Sequence, residues 1–215
     1  MAPTHHPFEA SARLPADERR RQLIEVAIDV FSKRGFSGAT TKEIAATAGV
    51  TEAIIFRHFA TKTQLYTAIL DHRRLHPGGN EWLVGIKTHM DQNDDEGLIR
   101  SLIAKIIHVI REDSKFERVL LYAALEGHEL AAMYHEQFAH PIRDMLRDYI
   151  ARRQREGVLC NLNPNAILAA IAGMAQQYAT HTHLCQYKDA GFSEEEAIET
   201  FTHIMMAGIR TEKTQ

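Results

Sequence analysis

Apolar residues recur at helical spacing along almost the whole chain. From Asp17 onward, Leu23, Ala27, Val30 and Phe31 share one face, while Arg19, Arg20, Arg21 and Lys33 lie outside that stripe. The spacing predicts a first helix that Gly35 ends. Residues 1–16 hold Pro3, Pro7 and Pro15 without a sustained period and read as a flexible arm. Gly38, Gly49, Thr40, Thr51 and Thr61 then cut residues 36–74 into three further short helices. Two of these starts carry the capping-box pattern, Thr40-x-x-Glu43 and Thr61-x-x-Gln64, in which a hydroxyl and a side chain three residues on satisfy each other's backbone N–H groups.

His76-Pro77-Gly78-Gly79 marks a break, after which the period stays near that of a helix. Helices are predicted at about 97–111, 115–130, 133–156, 164–186 and 193–210. Ser114-x-x-Glu117 and Ser193-x-x-Glu196 are capping boxes, and Asn163-Pro164 is a cap followed by proline at the first helical position. Residues 81–96 read both ways: Trp82, Leu83, Val84 and Ile86 call for burial, whereas MDQNDDEG has the composition of a loop. No alternating strand pattern stands out, so the expected fold is all-α with about nine helices.

Residues 40–65, TTKEIAATAGVTEAIIFRHFATKTQL, spell a short helix, a glycine turn and a second short helix. Ile44 and Ala45 face inward, Gly49 permits the turn, and Val50, Ile55 and Phe59 continue the shared core. Thr51, Glu52, Ala53, Ile54, Phe56, Arg57 and His58 remain for the outer face of a helix slim enough to enter a major groove. Here the chain resembles the TetR/AcrR family of regulators. The resemblance rests on Phe31, Gly35, Phe36, Thr40, Thr41, Ile44, Ala45, Ala48, Gly49, Val50, Thr51, Ile55, Phe56, His58, Phe59 and Lys62 at the family's spacing, and covers roughly the first third of the chain.

The resemblance implies an N-terminal three-helix helix-turn-helix domain followed by a helical ligand-binding and dimerisation domain. It implies phosphate contacts from Thr41, Lys42, Thr51, His58 and Lys62, with Thr40 at the start of the motif, and groove contacts from Glu52, Ala53, Ile54 and Arg57. Phe56 stands where the family usually has a tyrosine, so a hydroxyl contact to phosphate gives way to van der Waals contact. The partners implied are operator double-stranded DNA with pseudo-palindromic half-sites, a small-molecule effector, hydrophobic or aromatic, and a second copy of the chain, the whole acting as a repressor.

Charge sharpens this division. The net charge is -3, yet Lys and Arg outnumber Asp and Glu by 11 to 8 over residues 1–74 and are outnumbered 14 to 20 over residues 75–215, giving +3 and -6. The expected domains are the arm 1–16, a DNA-binding domain 17–74 and a sensor and dimerisation domain 75–215. No apolar run reaches the roughly eighteen residues of a membrane span, and the N-terminus lacks a secretory pattern, so a cytoplasmic protein without membrane contact is expected.

Cys160 and Cys185 lack CxxC spacing and are expected to be packing residues. Thirteen histidines invite a metal-responsive reading, especially His128 with His135 and His181 with His183, but residues two apart on a helix do not share a face. No cofactor or metal is expected, and the absence of GxSxG, HExxH, phosphate-loop and dinucleotide patterns argues against an enzyme. A DNA-addressed protein-interaction module is the other alternative. The effector site is expected among Leu102, Ile106, Leu121, Tyr122, Leu125, Glu126, His128, Met133, His135, Phe138, Met174 and Gln177, although core packing accounts for the same apolar positions. Dimerisation is expected through Ile167, Ala170, Ile171, Met174 and Tyr178 together with Phe201, Ile204, Met205 and Gly208.

Overall fold

The computed structural model describes residues 15–74, 79–185, 187 and 191–211. Nearly all of the expected arm and most of the break at 76–79 lie outside the described residues. The first helix, α1 (Ala16–Gly38), buries Leu23, Ile24, Ala27, Val30 and Phe31, and its regular path breaks at Gly35, whose φ of 68° and ψ of -179° only glycine adopts readily. Next come α2 (Thr41–Thr47), α3 (Glu52–His58) and α4 (Lys62–Arg74). Thr40 caps α2 by accepting the Glu43 N–H at 3.1 Å, but Glu43 turns away to Arg34 Nε at 3.0 Å, so this box is half formed. At α4, Thr61 accepts from Gln64 N–H, and Gln64 reaches back to Ala60 N–H rather than to the cap residue.

The core of these four helices extends past the first domain. Phe116, Val119 and Ala123 from α7 (Ser114–Leu125) and Leu130 from α8 (Glu129–Tyr134) are buried in the same cluster as Phe31, Ile44, Ile55, Phe59 and Tyr66. Phe31 and Tyr66 meet edge to face with centroids 4.7 Å apart, and Tyr66 donates its hydroxyl to Val119 O at 3.2 Å. Burial pushes the Tyr66 pKa well above its usual value, consistent with a phenol that stays neutral.

A second core is formed by α5 (Gly79–Gln92), α6 (Asp95–Glu112), α9 (His140–Arg155), α10 (Pro164–Ala179) and α11 (Glu194–Ile209). Ile103 and Ile107 of α6, Ile171 and Ala175 of α10 and Ala197 and Met206 of α11 meet at its centre. One buried ion pair crosses it: Arg153 grips Asp95 with Nε to Oδ1 at 2.8 Å and Nη2 to Oδ2 at 2.7 Å, and Tyr149 donates to Asp95 Oδ1 at 2.6 Å. Among the described residues there is no strand, only an isolated bridge between Leu159 and Arg210, and none of the helices is long and apolar enough to cross a membrane.

Eleven α-helices are present among the described residues against the nine expected. The ambiguous 81–96 segment becomes α5 and a turn at Asn93, where φ is 56°, after which Asp94 caps α6 through Gly97 N–H at 2.9 Å. The helix expected over 115–130 ends at Leu125 because Gly127 adopts a φ of 65° and His128 caps α8. Asp113, not Ser114, caps α7, accepting from Phe116 N–H at 3.2 Å. The helix expected over 133–156 is α8, a π turn at His135–Ala139 and α9; Pro141 lacks an N–H for the preceding turn, and the widened turn just upstream accommodates it. A second π turn, Thr180–Leu184, closes α10. Among the described residues Ser193 and Glu196 form the one complete capping box, at α11. Cys185 is exposed rather than packed.

Candidate nucleic-acid interface and effector cavity

Helix α3 is held against α2 by Ile55, which is fully buried, and by the turn at Gly49, whose φ is 66°. This leaves Thr51, Glu52, Ala53, Phe56 and Arg57 exposed on one surface, with Thr40 and Lys42 exposed beside them and Thr41 and His58 half-buried. Phe56 is 48% exposed, an apolar ring outside the core. Ile54 differs from the expectation: it packs partly against the N-terminal core, because the seven-residue helix turns that side toward Val50 and α2. The acidic Glu52 is restrained by Thr41, whose hydroxyl donates to Glu52 Oε1. That contact draws the carboxylate toward α2, where it interferes less with an approaching phosphate.

Lys62 has a more internal position than a free phosphate anchor. Its ammonium donates to Phe36 O and lies 4.3 Å from the Phe36 ring centroid. Burial pushes its pKa down, while the nearby Glu126 carboxylate pulls it up. Two of the three ammonium protons remain for other acceptors.

Around Phe36 the structure gathers a junction that the sequence does not suggest. Glu126, at the end of α7, accepts the Phe36 N–H at 3.0 Å and the Ser37 N–H at 3.2 Å, the two backbone donors released where α1 breaks at Gly35. A Cβ at Gly35 would stand 2.3 Å from Glu126 Oε1 and 3.0 Å from Tyr122 Cδ1, so glycine is required by both space and backbone. His128 packs on Phe36 and Tyr66, with centroids 4.3 and 4.7 Å away, while its Nδ1 accepts Leu130 N–H at 3.1 Å. Burial lowers the His128 pKa, Lys62 lowers it further, and Glu129 and Glu126 oppose the shift. Lys115 adds a bond to Asp29 at 2.7 Å, tying the start of α7 to α1 and lowering the Asp29 pKa.

The second core contains a cavity of about 620 Å³ bounded by α5, α6, α9 and α10. Of the residues expected to bind an effector, Leu102 and Ile106 line it. The others lie elsewhere. Leu121 and Leu125 are exposed on α7, Tyr122, Glu126 and His128 belong to the Phe36 junction, and Met133 packs on the N-terminal core. His135 and Phe138 both neighbour Tyr134, Met174 packs on the second core, and Gln177 Nε2 lies 2.7 Å from His181 Nε2 on the surface. These residues were grouped by helical period, but α7 and α8 turn their apolar faces toward the first core rather than the second. The cavity residues missed include Trp82, Lys105, Ile142, Arg143 and Leu168, of which Trp82 was signalled by its demand for burial. His181 and His183 point to different partners, and among the described residues no group of three candidate metal ligands converges.

Residues 23–69 match the family of bacterial regulatory proteins named tetR. This span runs from the middle of α1 through α2 and α3 into α4, the same elements that display the exposed α3 surface. Over these residues the chain is similar to the TetR family. Curated relatives agree: the chain is 32% identical over 109 residues to the transcriptional activator FasR of Mycolicibacterium smegmatis, covering 50% of this chain and 48% of that one. It is 35% identical over 104 residues to the regulator TtgR of Pseudomonas putida, covering 48% of each. The chain thus spans about half the length of these relatives in alignment. The fold continues further: AibR, solved with isovaleryl coenzyme A and operator DNA, superposes with a TM-score of 0.64 at 18% identity over 88% of this chain and 99% of that one.

The last two helices only partly present the expected dimer stripe. Ile167, Ile171, Tyr178 and Met205 are buried in the chain's own core, and Met174 and Phe201 pack against it. Ala170, Ile204 and Gly208 are exposed, joined by Ala166, Gly173 and Gln177 on α10 and by Thr200, His203 and Ala207 on α11. The large apolar residues were needed to close the core over α6, which leaves a face of mostly small side chains outside.

Proposed function

We propose that the protein is a sequence-specific transcription regulator, a repressor, whose homodimer holds a pseudo-palindromic operator and releases it when a small hydrophobic or aromatic ligand fills the cavity. Residues 17–74 form the DNA-binding part and residues 75–215 the sensing and dimerising part, acting in the cytoplasm where the operator lies. Thr40, Thr41, Lys42, Thr51, His58 and Lys62 face phosphates, and Ala53, Phe56 and Arg57 face the groove, with Glu52 set beside it by Thr41. Ala166, Ala170 and Gly173 of α10 and Ile204 and Gly208 of α11 supply the two-fold contact that sets two recognition helices about 34–36 Å apart.

The continuity of α6 and α7 carries this reading. Leu102, Lys105 and Ile106 of α6 line the cavity, and a single residue, Asp113, separates α6 from α7, which is packed inside the DNA-binding core. A ligand that favours one position of α6 therefore acts directly on α1 through α7. A coupling of about 1–3 kcal/mol changes operator affinity roughly 5–150-fold. The AibR complex, which holds both an acyl thioester and operator DNA on the same fold, supports the assignment.

The test is selection of genomic fragments by the purified protein, followed by footprinting and release with a panel of hydrophobic and aromatic compounds. A palindromic consensus is expected, with Arg57→Ala losing preference at one base position in each half-site. Binding without sequence preference, or a panel in which every bound compound leaves operator affinity unchanged, refutes the reading.

A further inference from the structure

We propose that the cavity selects an amphipathic organic anion, with an apolar body among α6, α9 and α10 and an anionic head between Lys105, Arg143 and the indole of Trp82. The inference rests on the reading of this cavity as the effector site and specifies its ligand class. Leu102, Ile106, Ile142, Leu146, Leu168 and Ile171 make the wall apolar, as a hydrocarbon or ring system requires. The charged lining is of one sign. Lys105, Arg143 and Arg147 border the cavity and no carboxylate does, although acidic residues outnumber basic ones 20 to 14 across residues 75–215.

The three cations are not equivalent. Arg147 is neutralised by Asp144 at 2.7 Å and Asp148 at 3.1 Å. Lys105 and Arg143 have no ion pair with any carboxylate among the described residues, and Lys105 is half-buried. Its ammonium lies 5.7 Å from the Trp82 ring centroid. Trp82 Nε1 is buried away from the cavity, so the indole offers its ring rather than its N–H. Two cations without carboxylate partners bordering an apolar cavity match a head that carries negative charge. A neutral hydrophobe fills the same volume but leaves the Lys105 ammonium unanswered.

Trp82 is the single tryptophan of the chain and lines the cavity, so the intact protein carries its own reporter. The experiment titrates full-length protein with decanoate and with decanol below their aggregation limits, reading Trp82 fluorescence and calorimetry. Decanoate is expected to bind about tenfold or more tightly than decanol, the scale of one charge-assisted contact, and to weaken as salt rises. Lys105→Met, and independently Arg143→Gln, should bring decanoate toward decanol while decanol is unchanged; circular dichroism confirms that each variant is folded. Equal affinities, tighter binding of decanol, or no saturable binding of decanoate overturns the proposal. Operator binding measured in the same samples separates the two readings. Charge-selective binding without operator release leaves the anion site standing and removes its effector role, whereas release by decanol with no anion preference does the reverse.

Discussion

Replacing Gly35 by alanine tests the junction between α1 and α7 most directly. The backbone there, at φ 68° and ψ -179°, lies in a region that is essentially glycine's own, and an alanine held in it costs about 1–3 kcal/mol. The added Cβ also meets Glu126 Oε1 at 2.3 Å and must displace that carboxylate. Displacement forfeits the bonds from Phe36 and Ser37 N–H. These are charge-assisted but solvent-exposed, so they are worth about 1 kcal/mol together, at the low end of their kind. Gly35→Ala is therefore expected to cost about 2–4 kcal/mol, or about 4–16 °C in Tm for a chain of this size. Glu126→Ala alone should cost about 1 kcal/mol. The double variant is the decisive measurement. Because Gly35→Ala has already displaced Glu126, adding Glu126→Ala should cost almost nothing more, a non-additivity of about 1 kcal/mol. Urea unfolding followed by circular dichroism measures all four proteins. Additivity within about 0.5 kcal/mol would show that Gly35 and Glu126 act separately, and the junction as described would be wrong.

The buried Asp95–Arg153 pair gives a comparable effect: Asp95→Ala leaves the guanidinium with Glu156 as its one carboxylate partner and should destabilise by about 3 kcal/mol, the low end for a broken buried pair, with Asp95→Asn recovering part of the loss in the same unfolding assay. The His128 pKa is lowered in the folded chain, so the unfolded chain binds the extra proton first. Stability from this group is present above its ordinary value of 6.5 and is lost as pH falls below it; His128→Asn, which keeps a cap for α8, should flatten that slope in Tm measured from pH 8 to 5. At the proposed dimer face, Ile204→Glu, at a position 51% exposed in the single chain, should shift sedimentation toward monomer without lowering helicity, and a fully dimeric variant would move the interface elsewhere. Ile171→Glu does not test that face, since Ile171 is 2% exposed and belongs to the chain's own core.

What was legible in the sequence was whatever depends on neighbours in the chain. Thr40, Gly49 and Asn163 act on backbone groups within a few residues, and the helices they bound stand where the spacing puts them. Asp113 and Ser114 are both competent caps one residue apart, and only packing of Phe116 into the first core selects between them. Glu126 reads from the sequence as an effector-site residue because its partners, Phe36 and Ser37, lie about ninety residues earlier and offer only backbone, which carries no sequence signature. Most of the expected effector residues lie away from the cavity for a related reason. Period identifies the apolar face of α7 but not which of two cores receives it, so Leu121, Tyr122 and Met133 were grouped with Leu102 and Ile106 although α7 and α8 serve the first core.

That allegiance of α7 and α8 limits how this protein can be recombined. The chain order suggests a cut near residue 75, with a reader before it and an exchangeable receiver after it. A hybrid built on that cut would deprive Leu23, Phe31 and Tyr66 of Phe116, Val119, Ala123 and Leu130, opening the reader's own interior to water. A workable graft has to keep α7 and α8 with the reader and exchange α5 and α6 as an insertion and everything after Tyr134 as a tail. The second core of this chain would thus have to be exchanged in two pieces, and a crossover that brings in only one of them damages the half it did not touch.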